Sequence, residues 1–213
     1  MYLKNLSYKE KYNLATEVKT PAKILAILAK DIDPRIRESV ARNENTPVEA
    51  LDVLAKDKIY TIRRGVAFNE STKAKTLAML AKDGSSLVRW EVARNKNTPA
   101  EVLAMLAKDV DIDVRRTVAG NKNTSVETLV MLASDDIWWV REAVAKNENT
   151  PVETLAVLAK DENSDVHEAV ALNRNTPLNT LKILANDEEK VVRKAANKAL
   201  NERKMNTKFN KER

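Results

Sequence analysis

An all-α solenoid of seven two-helix repeats is the fold class predicted for this 213-residue chain, and three observations predict it. First, Thr20, Thr46, Thr72, Thr98, Thr124, Thr150 and Thr176 recur every 26 residues without an insertion. Second, an Asp stands eleven residues after each Thr, from Asp31 to Asp187. Seventeen after each Thr stands an Arg (Arg37, Arg63, Arg89, Arg115, Arg141, Arg193) or, in the sixth copy, His167. Third, the composition is 43% hydrophobic but only 4% aromatic, with three Gly and six Pro, a helix-forming balance. A fixed period of this length marks stacked repeats, each unable to bury its apolar face alone.

Residues 1–19 are expected to form an N-terminal cap, because residues 7–15 resemble the second helix of an incomplete copy, with Leu14 and Ala15 in its Val-Ala positions. In each full copy the first helix opens on a start signal such as Thr46-Pro47-Val48-Glu49. Thr is expected to cap the helix, Pro to occupy its first position and Glu to complete a capping box. In the fifth copy Ser125 replaces Pro within Thr124–Glu127. Two Leu three apart and an Ala follow, as in Leu51, Leu54 and Ala55, giving one buried face. Met79, Met105 and Met131 share one position of this helix and are expected to fill the core between copies.

The ladder Asp comes next. It is expected to cap the second helix or to pair with the Arg six residues later, a scaffold role. The second helix follows the pattern V-R-x-x-V-A-x-N, with Val114 and Val118 on one face. Its closing Asn (Asn43, Asn69, Asn95, Asn121, Asn147, Asn173) suits a left-handed helix end. In the last copy Ala196 and Asn197 stand for Val and Ala, and the helix is expected to run on through Leu200. Residues 1–204 are thus expected to form one solenoid domain, followed by a basic flexible tail at 205–213.

The string N-x-N-T-P-x-E-x-L-x-x-L-A-x-D…V-R-x-x-V-A-x-N resembles the leucine-rich repeat variant family and, more broadly, HEAT-type solenoids, over residues 11–200. The resemblance implies a right-handed superhelix of stacked helix pairs with a short second helix, and no single activity. Some members of the family carry a cysteine-bound iron–sulfur cluster; with no Cys in this chain, no cofactor is expected.

The absence of Cys also excludes disulfides, thiolate metal sites and a cysteine nucleophile. His167 is the sole His and cannot make a metal site alone. No Ser-His-Asp set, phosphate-cradling Gly-rich loop or His-x-x-x-His pattern is present, so no catalytic residue is expected. No stretch approaches the roughly 20 apolar residues that span a bilayer, and the opening residues lack a signal-peptide core. A cytoplasmic protein is expected. The net charge is +6, but residues 198–213 alone hold six Lys/Arg against two Glu, leaving the body nearly neutral.

Function in a solenoid sits where the copies differ. Outward positions of the second helix lie fifteen, eighteen and twenty-two residues after each Thr. They bring together Arg64, Phe68, Leu87, Trp90, Arg94, Arg116 and Trp139, a composition typical of binding hot spots. The competing reading folds Trp90 and Trp139 back onto neighbouring copies. Trp138 shares its position with Tyr60 and Ile112 and is expected to pack. The first helix offers mainly Ala, Thr and a repeated Lys (Lys30, Lys56, Lys82, Lys108, Lys160).

A non-catalytic scaffold for a protein or peptide is the leading expectation. Nucleic-acid binding is second: Arg35, Arg42, Arg64, Arg94 and Arg116 would track phosphates, opposed by Asp113, Glu142, Asp165 and Glu168. Third stands a resemblance to HEAT-like DNA-alkylation-repair glycosylases, in which Trp90, Asp113 and Trp139 would act, though no surrounding motif accompanies them.

Overall fold

A seven-residue helix cannot hold itself together in water, so its apolar face must find a neighbour. Each copy supplies such a helix and a nine-residue partner, as in Val48–Leu54 and Tyr60–Phe68. The computed structural model describes the backbone of residues 2–209 and the side chains of residues 3 and 5–205. Fifteen α-helices and no strand occur among the described residues. They divide into two compact units that meet in the chain between Leu106 and Ala107.

The first unit begins with a 3-10 turn at Tyr2–Asn5 and continues with α1 (Tyr8–Thr16), α2 (Ala22–Leu28), α3 (Pro34–Arg42) and α4 (Val48–Leu54). It ends with α5 (Tyr60–Phe68), α6 (Ala74–Leu80), α7 (Ser86–Arg94) and α8 (Ala100–Leu106). The second helices α1, α3, α5 and α7 pack side by side in one layer, and α2, α4 and α6 each pack on the two that flank them in sequence. The second unit holds α9 (Ile112–Gly120), α10 (Val126–Leu132), α11 (Trp138–Lys146), α12 (Val152–Leu158), α13 (Ser164–Leu172), α14 (Leu178–Leu184) and α15 (Lys190–Phe209). There α9, α11, α13 and α15 form the row, with α10, α12 and α14 against it.

The core repeats as the sequence does. Every copy buries two Leu from its first helix, such as Leu51 and Leu54, and Ile or Val from its second, such as Ile62. Each such Leu contributes about 1.5–3 kcal/mol by leaving water. The buried Ala of the second helix, such as Ala67, lets neighbouring copies approach.

Three polar ladders differ in detail from expectation. The ladder Thr does not cap its helix: α4, α12 and α14 take Pro47, Pro151 and Pro177 as N-caps, with no side-chain capping bond. Thr46 is instead buried, and its hydroxyl donates to the Val40 carbonyl at 2.5 Å, satisfying the end of the preceding helix. Thr72, Thr124, Thr150 and Thr176 repeat the bond. Where Ser125 replaces Pro, its own hydroxyl caps α10 by accepting from the Thr128 amide.

The closing Asn is extended rather than left-handed, with φ −69° and ψ 121° at Asn69, and no residue among those described has positive φ apart from glycine's freedom to do so, which none uses. The reason is a bond across copies. Asn69 Nδ2 donates to the carbonyls of Ala41 at 2.9 Å and Asn43 at 2.8 Å, while its Oδ1 accepts the Ser71 amide. Asn43, Asn147 and Asn173 reach back one copy in the same way.

The ladder Asp folds its own turn, as Asp57 Oδ1 accepts the Ile59 amide at 3.0 Å. Its ion pair, however, is with the Arg of the preceding copy, not with the Arg six residues on. Arg37 pairs with Asp57, Arg63 with Asp83, Arg115 with Asp135 and Arg141 with Asp161. Each Arg also donates to the carbonyl of its own copy's Asp, as Arg63 Nη1 does to Asp57 at 2.7 Å. Lys11 of α1 fills the same slot against Asp31 at 2.8 Å, which ties the incomplete first copy into the ladder. Of residues 7–15, Ser7 is the N-cap and the rest lie in α1, where Ala15 is fully buried.

Met79, Met105 and Met131 are not core filler; all three are exposed. At the far end α15 continues through Phe209, five residues into the segment expected to be a tail. Residues 210–213 of that segment lie outside the described residues. No helix among the described residues is long and apolar enough to cross a membrane.

Candidate protein-interaction surface

In the first unit the second helices lay their outward residues in neighbouring rows. Five of the residues singled out by sequence, Arg64, Phe68, Leu87, Trp90 and Arg94, stand here on α5 and α7. Phe68 and Leu87 are exposed, and Trp90 is half-buried. The guanidinium groups of Arg64 and Arg94 lie 5.9 and 5.6 Å from the Trp90 ring centroid. Arg42 of α3 stands 5.5 Å from the Phe68 ring, and Arg35 stands 4.5 Å from Tyr8, which stacks on Tyr12. Cationic groups therefore sit on aromatic faces of adjacent copies, an attraction of about 0.5–1 kcal/mol each when exposed.

Beneath them lies a carboxylate. Glu91 is 2% exposed and accepts from Arg64 Nε and Arg94 Nη1, both at 3.1 Å. The corresponding position is Ser39, Gly65, Thr117, Ala143, Ala169 or Ala195 in the other copies. A lone carboxylate in an otherwise small, uncharged series was the signal that could have found it. Arg94 remains more than half exposed, whereas Arg64 is about one-third exposed.

Two clefts open on this face. One, of about 240 Å³, is lined by Arg42, Phe68, Glu91 and Arg94, with Glu44 and Glu70 at its edge. The other, of about 430 Å³, lies between Tyr8, Tyr12, Arg35, Glu38 and Arg42. Arg42 is common to both. Tyr8 and Tyr12 extend the surface into the cap, where the sequence reading placed no site.

Arg116 and Trp139 belong to the second unit, on α9 and α11. Both are exposed, Trp139 by 43%, and its ring meets Trp138 edge-to-face at 5.8 Å. Trp138 is half-buried, as expected of a packing residue. Trp139 keeps a large open surface rather than folding away.

The first helices carry a feature that sequence reasoning missed. Seven residues after each Thr they expose an aliphatic or Met side chain: Ile27, Val53, Met79 and Met105 in the first unit, Met131, Val157 and Ile183 in the second. The expectation that this face offers mainly Ala, Thr and Lys left out this exposed apolar row. An apolar pattern one residue wide on a short helix gives no sign of which side faces the core.

Comparison with known proteins bears on the repeat itself. A family model described as leucine rich repeat variant matches residues 112–137 and 138–163, two consecutive registers of the period. In these two registers the repeat resembles the leucine-rich repeat variant. A solved structure described as a leucine-rich repeat variant with a novel repetitive structural motif is similar at 28% identity and a TM-score of 0.69, over 93% of this chain and 79% of that one. The structure of YibA from Escherichia coli shares the helical repeat fold at 17% identity and a TM-score of 0.50, over 92% of this chain and 98% of that one. No curated protein matches the sequence. The stacked helical repeat accounts for the frame, and the surfaces above are what this chain has built on it.

Proposed function

We propose that this variant-repeat solenoid is a non-catalytic scaffold that holds a peptide or protein segment on the second-helix face of its first unit. The observation carrying the reading is the pair of clefts that meet at Arg42, walled by Tyr8, Tyr12 and Phe68, with Trp90 reached through the Arg94 that lines one of them. Clefted aromatic and Arg side chains are the groups that anchor protein interfaces. Trp139 and Arg116 supply a second, separate contact on the other unit.

The same face speaks against tracking phosphates. Glu38, Glu44 and Glu70 stand among its cations, and Arg64 and Arg94 are already engaged by Glu91. Guanidinium groups occupy the neighbourhood of the Trp90 ring that a nucleobase would stack on.

The test is a pull-down with the wild-type chain and a Phe68→Ala/Arg94→Glu variant, with and without nuclease, followed by titration of the recovered partner in purified form. Both substituted residues are exposed and Arg64 stays paired with Glu91, and matching thermal melts and circular dichroism establish that the variant folds. A partner that survives nuclease, binds the wild type and loses at least about tenfold in affinity to the variant supports the reading. Recovery of nucleic acid, with binding that falls steeply as salt rises, would replace it.

A further inference from the structure

The first-helix face of the first unit combines two regular rows. Ile27, Val53 and Met79 are 58, 52 and 41% exposed. Three residues after each comes an exposed Lys, Lys30, Lys56 or Lys82. In every case the Lys amide donates to the carbonyl of the apolar residue at 3.1 Å, closing a 3-10 turn. Side chains three apart eclipse one another in such a turn, so each cation stands beside its apolar neighbour. On the second-helix face most cations are paired, whereas these three lysines form no ion pair among the described residues.

We infer that this face docks an acidic amphipathic α-helix of a partner protein, lying across α2, α4 and α6. Charge complementarity selects the sign: a row of unpaired lysines beside an apolar row calls for carboxylates flanking an apolar stripe. The spacing selects the helix. The second helices pack side by side, which sets about 8–10 Å between copies, and α2, α4 and α6 approach one another less closely than the second helices do, so their rungs stand at or beyond the upper end of that interval. A helix rising 1.5 Å per residue brings one side chain to the same face about every 10.5 Å, once per heptad. An extended strand repeats on one face about every 7 Å and falls out of step. Glu49 and Asp52 lie on α4 amid the rows, which a flat anionic bilayer would meet unfavourably and a patterned helix can avoid.

The probe is a synthetic helix of about 24 residues with Leu at every seventh position and Glu beside each, titrated into the full chain by fluorescence anisotropy. The wild type should bind it saturably. A Lys30→Glu/Lys56→Glu/Lys82→Glu variant should lose about tenfold in affinity and gain affinity for the same peptide with Lys in place of Glu. Phe68→Ala/Arg94→Glu should change nothing, which separates this surface from the one proposed above. Matching thermal melts establish that the variants fold. No saturable binding by the wild type, equal binding by the charge-reversed variant, or loss of binding in Phe68→Ala/Arg94→Glu would each overturn the inference. So would adsorption to phosphatidylglycerol vesicles without peptide binding, which would assign the face to a lipid surface.

Discussion

Arg141 and Asp161, twenty residues apart in sequence, close a two-pronged ion pair at 2.6 and 2.9 Å between consecutive copies. The Arg141 side chain is 10% exposed and that of Asp161 only 7%. Arg141 Nη1 also donates to the Asp135 carbonyl at 2.7 Å, so one guanidinium joins two turns.

Arg141→Ala should therefore cost about 3 kcal/mol, because it leaves Asp161 buried without its partner. Urea unfolding followed by circular dichroism measures it. Arg35→Ala, which breaks an exposed pair with Asp33, should leave the same transition where it was. Equal losses in the two variants would mean that burial does not govern these pairs.

Acid should dissolve the ladder. Burial pushes the carboxyl of Asp161 up, but hydrogen bonds from Arg141 and the Asn163 amide, with the Arg141 charge, outweigh it and hold the group below its usual range. Asp83 and Asp135 are held down in the same way by Arg63 and Arg115. A carboxyl depressed in the folded state contributes stability above its unfolded pKa of about 3.9, and that stability is lost as pH falls toward the folded value. Urea midpoints should be level from about pH 5 upward with respect to these groups and fall below about pH 4. In Arg141→Ala the acid fall should be shallower.

Asn69→Ala should cost about 2–3 kcal/mol, since it takes a donor from the buried carbonyl of Ala41, one of two donors from that of Asn43, and the acceptor from the Ser71 amide. Asn69→Asp should cost more, because it sets a carboxylate against two carbonyl oxygens. Thermal melts of the two variants, ranked against each other, check the order as well as the size.

His167 offers an opening for stabilisation. Its Nδ1 lies 2.8 Å from Asp187 Oδ2, but its buried Nε2 has no partner. His167→Arg should restore the second prong and the bond to the Asp161 carbonyl found in the other rungs. A gain of about 1 kcal/mol is expected, raising the melting midpoint by roughly 2–4 °C.

The period, the two short helices and their buried Leu and Val were legible because apolar spacing and repetition act within one copy. Partnership between copies was not. Arg37 lies six residues after Asp31 and twenty before Asp57, and a strict repeat makes both pairings recur identically. Geometry chooses the second, with Nε 2.7 Å from Asp57. Thr46 misled for a related reason: a hydroxyl before a helix can turn forward to cap it or back to the helix just ended, and burial between copies turns it back. At the candidate surface, the positions of Phe68 and Trp90 could be read from the period. Glu91 beneath them stands out in sequence only as the lone carboxylate of its series, and its burial under two arginines shows once the Arg64 and Arg94 side chains are seen to reach it.

The two inter-copy ladders run in opposite senses. Arginine reaches forward to the next aspartate, and asparagine reaches back to the previous carbonyls. Within each unit a copy flanked on both sides thus gives and receives one of each, so a change in copy number offers these two sets of ladder residues equivalent partners. Only the ends need special residues: Lys11 at the start, and at the finish Arg203, whose guanidinium donates to the carbonyls of Thr176 and Arg174. Ladders of this kind tolerate a change in the number of rungs so long as the residues that close them at each end are kept.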